Sequence, residues 1–127
     1  ARHFMPGGLT LVLRAGPLCP LSVRAGGATV GVRVPDHPVA LELIRRFGRP
    51  LAATSANRSG QISPRTAAEA VAQVGAAAHL VIDGGPCSVG ADSSVLDLSG
   101  ARPLLLREGA VTREALERVF GPLEKKG

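Results

Sequence analysis

Between Thr29 and Phe47 the apolar period of the chain changes from two to about 3.6 residues, and the two periods demand different secondary structures. Val30, Val32 and Val34 fall on one face of an extended segment, with Thr29, Gly31 and Arg33 on the other. Thr29–Val34 is therefore predicted as a strand with one packed face and one polar face. Pro35 ends it. Asp36 is placed to cap the next element, where Val39, Ala40, Leu43, Ile44 and Phe47 recur at the 3, 4 spacing of an amphipathic helix that Gly48 stops.

Similar patterns recur along the chain. Leu9–Leu13 is a strand bounded by Pro6-Gly7-Gly8 and Ala15-Gly16-Pro17. Leu51–Thr54 is a short apolar strand running into the polar loop Ser55-Ala-Asn-Arg-Ser-Gly60. The second helix starts either with Ser63 as cap and Pro64 at its first position or with Thr66 and Glu69 as a capping box. It carries Ala67, Ala70, Val71 and Val74 inward and ends at Gly75. His79–Asp83, Ser94–Leu98 and Pro103–Arg107 are three more strands, the last two joined through Ser99-Gly100, and a final helix spans Thr112–Phe120. The order β-β-α-β-α-β-β-β-α is neither regular βαβ alternation nor all-β. It predicts an α/β (α+β) fold, a twisted mixed sheet flanked by helices. No repeat or linker divides the chain, so residues 1–127 are expected to form a single domain.

Composition narrows the function. A chain of 127 residues, 45% of them hydrophobic, buries about two thirds of its unfolded surface and needs no disulfide or metal staple. Its apolar runs fall far short of the roughly 18 residues of a membrane helix, and Arg14 interrupts the first run too early for a secretory leader. No membrane association is expected, and the cytoplasm is the default compartment. The formal charge is +5, and every basic residue except Lys125 and Lys126 is Arg, whose planar fork suits carboxylates and phosphates. A pI near 10.6 suits RNA, yet without Trp or Tyr and with three Phe a base-stacking platform is hard to build. Cys19 and Cys87 are read as free thiols, and His3, His37 and His79 form no metal pair, so no protein metal site is expected. The phosphate-loop and dinucleotide glycine motifs are absent, and Ser55 lies in no Gly-x-Ser-x-Gly turn.

What remains is a set of hydroxyls and arginines at strand ends: Thr29 and Arg33, then Ser55 and Asn57, Ser63 at a helix start, and Arg107. Such groups bind anions without proton-transfer chemistry. Ser63 is either a plain cap or part of a phosphate site at a helix N-terminus. Arg33, alone on the polar face of a valine strand, needs a partner or water.

The segments Phe4-Met-Pro-Gly-Gly-Leu-Thr10, Thr29-Val-Gly-Val-Arg-Val-Pro35 with Asp36-His37-Pro38, and Ala53-Thr-Ser-Ala-Asn-Arg-Ser-Gly60 with Ser63-Pro64 resemble the YrdC/Sua5 family of threonylcarbamoyl-AMP synthases. Ile82-Asp-Gly-Gly85, Ser93-Ser-Val-Leu-Asp97 and Leu106-Arg-Glu-Gly-Ala-Val-Thr112 are similar to its remaining motifs, so the likeness covers nearly the whole chain. The resemblance implies a YrdC/RibB-like fold. It also implies an enzyme that makes L-threonylcarbamoyladenylate and pyrophosphate from L-threonine, bicarbonate or CO2, and ATP, for the t6A37 modification of tRNA. By motif position, Arg33 would clamp the threonine carboxylate, helped by the backbone at Ala53 and by Ser93. Thr29, Ser55, Asn57, Ser63 and Arg107 would hold ATP, with Arg33, Ser55 and Asn57 nearest the chemistry. Mg²⁺ would arrive with the nucleotide, and tRNA and the proteins of threonylcarbamoyl transfer are the implied partners.

The chain departs from the family at Met5 (usually Trp), Gly8 (usually Pro), Ser94 (commonly Thr) and Glu108 (commonly Pro). The family's opening helix and strand and its Lys-x-Arg motif are also missing, so the chain is expected to hold the C-terminal two thirds of the family domain. Two other functions fit the resemblance less well. One is the carbamoyl-adenylate-forming domain of hydrogenase maturation, and the other is a non-catalytic RNA-binding module.

Overall fold

The computed structural model describes residues 2–24, 26–87 and 92–125; Lys126 of the terminal basic pair lies outside them. The strands are β1 (Leu9–Arg14), β2 (Thr29–Val32), β3 (Ser94–Asp97), β4 (Leu104–Arg107) and β5 (Glu124–Lys125). They form one mixed sheet in the order β2-β1-β3-β4-β5. β1–β2 and β3–β4 are antiparallel, whereas β1–β3 and β4–β5 are parallel. Helices α1 (Pro38–Phe47) and α2 (Ala67–Val74) belong to the crossover from β2 to β3, and α3 (Arg113–Phe120) joins β4 to β5. The expected α/β architecture is present.

The core is built from leucine. Leu9 and Leu11 of β1, Leu96 of β3 and Leu105 of β4 pack with Leu116 of α3 and Leu123, and Phe4, Met5, Leu13, Leu98, Val111 and Phe120 close its edge. The Phe4 and Phe120 rings stack with centroids 6.4 Å apart. Each fully buried leucine contributes about 1.5–3 kcal/mol, so this one-sided cluster anchors α3 to the sheet. The Thr112 hydroxyl caps α3 by accepting the Ala115 N–H at 3.3 Å, and the Glu108 carboxylate accepts the Arg113 N–H at 2.9 Å. Glu108 is thus a second cap.

Several expectations need correction. Leu51–Thr54 and His79–Asp83 are not strands: they run without a ladder partner among the described residues, and Leu80 is 77% exposed. A short apolar run becomes a strand only when a neighbour accepts its backbone groups. β2 stops at Val32, and the Val34 carbonyl instead accepts the Gly7 N–H at 2.9 Å. Of the two starts for α2, Thr66 is the cap, accepting the Glu69 N–H at 3.2 Å, while the Glu69 carboxylate takes the Arg65 N–H. Val71 is exposed rather than inward; it borders an open cleft of about 230 Å³ between α2 and Leu80–Ile82. α1 forms and closes on Gly48 at φ 70°, but His37 rather than Asp36 is its N-cap, with no side-chain cap bond and Pro38 at the first position, and Val39, Leu43 and Phe47 of its apolar stripe stay largely exposed.

Candidate functional site

Strand register decides which side chains share a face, because paired residues and alternate residues point the same way. Leu9 and Leu11 face the core with Leu96. Thr10, Val12 and Arg14 therefore face the opposite side, together with Thr29 and Gly31 of β2 and Val95 and Asp97 of β3. Arg33 and Ser93 lie one alternation further on the same face, and Arg107, opposite Val95, ends β4 on it. Polar and charged side chains of β1 to β4 and of the residues that flank them thus share the face that the leucine core leaves uncovered.

A hydrogen-bond network holds one half of this face. The Arg107 guanidinium donates from Nε to the Ser93 carbonyl at 2.9 Å and from Nη2 to the Ser93 Oγ at 3.3 Å. Its Nη1 lies 3.4 Å from Asp92 Oδ2, and Asp92 Oδ1 accepts the Ser63 hydroxyl at 3.3 Å. The buried Ser93 hydroxyl also shares a 2.9 Å hydrogen bond with Thr10 Oγ1. Ser63, Ser93 and Arg107 are thereby brought together. Ser63 lies outside α2, so the alternative in which it caps that helix does not hold.

Arg33 anchors the other half. Its Nε donates to the Gly7 carbonyl at 2.9 Å, which steadies the guanidinium, while its two terminal nitrogens bond no described residue. That leaves the pair of parallel donors a carboxylate needs. Thr29 is on the same face but at the far end of β2, paired with Arg14 and about 13 Å along the strand from Arg33.

Ser55, Asn57 and Ala53 stand apart, with no hydrogen bond to either half. Asn57 donates from Nδ2 to the carbonyls of Arg58 and Gln61, at 3.1 and 2.9 Å, and its buried Oδ1 has no partner among the described residues. The loop is stitched to α2 through Arg58, which donates to Gln73 from its N–H and its Nε. Ser55 and Ala53 are both exposed.

Two members of the network escaped the sequence reading. Thr10 carried a weak signal, as the single hydroxyl in Leu9–Leu13; Asp92 carried none. The carboxyls held below their ordinary range, Glu42 by Arg45 and Arg46, Asp97 by Ser99, and Glu114 by its own backbone N–H and Thr112, bond neither Arg33 nor the Ser93–Arg107 network. A larger cleft of about 350 Å³ lies at the β3–β4 hairpin, lined by Ser99, Gly100, Arg102 and Glu124, away from the convergent donors. The donors mark the site better than the hollow does, because an anion needs N–H and O–H groups. No group of three metal-ligating side chains occurs among the described residues.

The family model Sua5_yciO_yrdC, described as "Telomere recombination", matches residues 1–109. The chain belongs to the Sua5/YciO/YrdC family. It is 45% identical over 124 residues to threonylcarbamoyl-AMP synthase of Bacillus subtilis, covering 96% of this chain and 36% of that protein. It is similar to the crystal structure of P. abyssi Sua5 complexed with L-threonine, with TM-score 0.93 and 40% identity over 98% of this chain and 37% of the other. E. coli YciO gives TM-score 0.74 and 28% identity, over 84% of this chain and 52% of the other. The chain therefore spans about a third of the length of the first two relatives. A Cβ at Gly8 would lie 2.5 Å from the Ala110 Cβ, so Gly8 and Ala110 fit as a pair.

Proposed function

We propose that this chain carries the threonine- and nucleotide-binding face of an L-threonylcarbamoyladenylate synthase. One observation carries the reading: the unpaired fork of Arg33 and the Ser93–Arg107 network share one sheet face in a fold 40% identical to a Sua5 crystallised with L-threonine. The threonine carboxylate takes the Arg33 donors, with Ser93 and the Ala53 backbone beside it. Arg107, Ser63, Thr29, Ser55 and Asn57 hold the triphosphate and adenosine, and Mg²⁺ enters as part of the nucleotide substrate.

The chemistry asks for little acid–base work. The threonine amine adds to CO2, losing a proton and giving a carbamate. A carbamate oxygen then attacks the α-phosphorus of ATP, and the bond to pyrophosphate breaks. Two anions must be held side by side while negative charge shifts between them, so fixed cationic and hydroxyl donors supply the catalysis. The product feeds t6A37 formation in tRNA, so tRNA and the proteins of threonylcarbamoyl transfer are the partners and the cytoplasm the compartment. No helix among the described residues is long and apolar enough to cross a membrane.

Threonine-dependent release of pyrophosphate by the intact protein, with bicarbonate present, tests the reading. Arg33→Ala should lower it more than about tenfold, the loss of one charge-assisted carboxylate contact. Unchanged turnover removes Arg33 from the site. A non-catalytic RNA binder would instead bind neither threonine nor ATP, and its log affinity would fall about 0.7–0.9 per phosphate contact against log salt.

A further inference from the structure

Thr10 stands at the centre of the polar face. The β1–β2 ladder pairs Val12 with Gly31 and ends at Leu11–Val32, so Thr10 and Arg33 are the residues that immediately follow its last pair, both on the polar face. On its other flank Thr10 Oγ1 is 2.9 Å from the Ser93 Oγ. Thr10 therefore lies between the two side chains that the synthase reading assigns to the threonine carboxylate. Gly31 leaves the neighbouring floor bare: a Cβ there would lie 3.4 Å from the Thr10 methyl.

A proton count then assigns the Thr10 hydroxyl a task. A serine hydroxyl has one proton to give and two lone pairs. The Ser93 Oγ already accepts from Arg107 Nη2 at 3.3 Å. If Ser93 gave its proton to Thr10, it would have none for a ligand. If Thr10 gives its proton to Ser93, both lone pairs of Ser93 are taken and its O–H is free to point at an anion. A carboxylate on the Arg33 side selects the second arrangement, because an O–H donated to an anion is stronger than one donated to a neutral hydroxyl.

We propose that Thr10 is a positioning residue: its hydroxyl donates to Ser93 and so presents the Ser93 O–H to the carboxylate of the amino-acid substrate. The inference rests on the synthase reading and concerns the amino-acid side of the site alone. Arg107 holds Ser93 from the nucleotide side, and Thr10 holds it from the threonine side.

The test is steady-state pyrophosphate release by the intact protein, with L-threonine and ATP varied separately. Thr10→Val, which keeps the shape and removes the hydroxyl, should raise the KM for L-threonine about tenfold, with kcat and the KM for ATP within about twofold. Thr10→Ser should restore the wild-type KM, which a purely structural role of the Thr10 methyl would not allow. Thr10→Ala serves as the second variant if valine disturbs folding, and it should show the same split. An unchanged threonine KM in both hydroxyl-free variants, or an equal rise in both KM values, overturns the proposal while leaving the synthase reading intact. Absence of threonine-dependent turnover in the wild-type protein overturns both.

Discussion

The carboxylate of Asp92 faces the guanidinium of Arg107 at 3.4 Å and, through its other oxygen, takes the hydroxyl of Ser63. Both partners are groups that the synthase reading gives to ATP, so Asp92 occupies with its own negative charge the donors a phosphate would use. Asp92→Asn should therefore lower the KM for ATP. A half-exposed ion pair contributes about 0–1 kcal/mol, which limits the gain to about fivefold. A higher KM in a variant of unchanged thermal stability would show that Asp92 holds Arg107 in place rather than competing with the nucleotide.

Ser94 is fully buried and ties the strand to the loop after β4. Its hydroxyl donates to the Val111 carbonyl at 2.5 Å and accepts the N–H groups of Gly109 and Val111 at 2.9 and 3.0 Å. Ser94→Ala leaves those backbone groups short of partners in a site with no exposed surface. The expected cost is about 1–3 kcal/mol in unfolding by denaturant, with no change in the slope of the transition. A loss below about 0.5 kcal/mol would mean that the Gly109–Val111 loop finds its partners elsewhere.

Local periodicity made most of the fold legible. The Val30-Val32-Val34 alternation, the Val39-to-Phe47 stripe and the Gly or Pro that ends each run are features of neighbouring residues, and β2, α1 and α3 form close to where they point. Pairing is not local. Leu51–Thr54 and His79–Asp83 carry the apolar signature of strands and find no ladder among the described residues, whereas Glu124–Lys125 carries no signature and gains a ladder by lying beside Leu104 and Leu105. The site divides in the same way. Arg33 was legible as a cation on a valine strand, but the meeting of Ser93 with Arg107 and Thr10 depends on the register of β1 with β3 and β3 with β4, and residue types do not state a register.

Asp97 gives the sheet an acid-sensitive contact. Ser99 bonds its carboxylate and holds the group below its ordinary value; the Ser99 backbone N–H lies 2.8 Å from Oδ1. A depressed carboxyl stabilises the fold above its unfolded pKa, and that contribution is lost as pH falls through the lower folded value. The thermal midpoint should therefore drop below about pH 4, and Asp97→Asn should flatten the drop without altering stability slope near neutrality. Parallel pH profiles for the two proteins would assign the acid sensitivity to other carboxyls, such as Glu42 and Glu114.

Gly109 supports the site through backbone contact alone. A Cβ there would lie 2.2 Å from the Asp92 carbonyl oxygen and 3.0 Å from the Ser93 carbonyl carbon, and both of those atoms are backbone that cannot swing aside. The Asp92 carbonyl also accepts the Ala110 N–H at 2.9 Å, so relieving the clash breaks that bond and moves the segment to which Arg107 donates. Gly109→Ala should cost about 1–3 kcal/mol of stability and raise the KM for ATP in whatever fraction remains folded. Gly100→Ala is the control: its nearest non-neighbour atom is 3.9 Å away and its position lies in the β3–β4 hairpin, away from the polar face. It should stay within about 0.5 kcal/mol of wild type. Equal effects of the two substitutions would mean that the backbone around Gly109 makes room for a Cβ, and that the approach of Gly109 to Asp92 does not position Arg107.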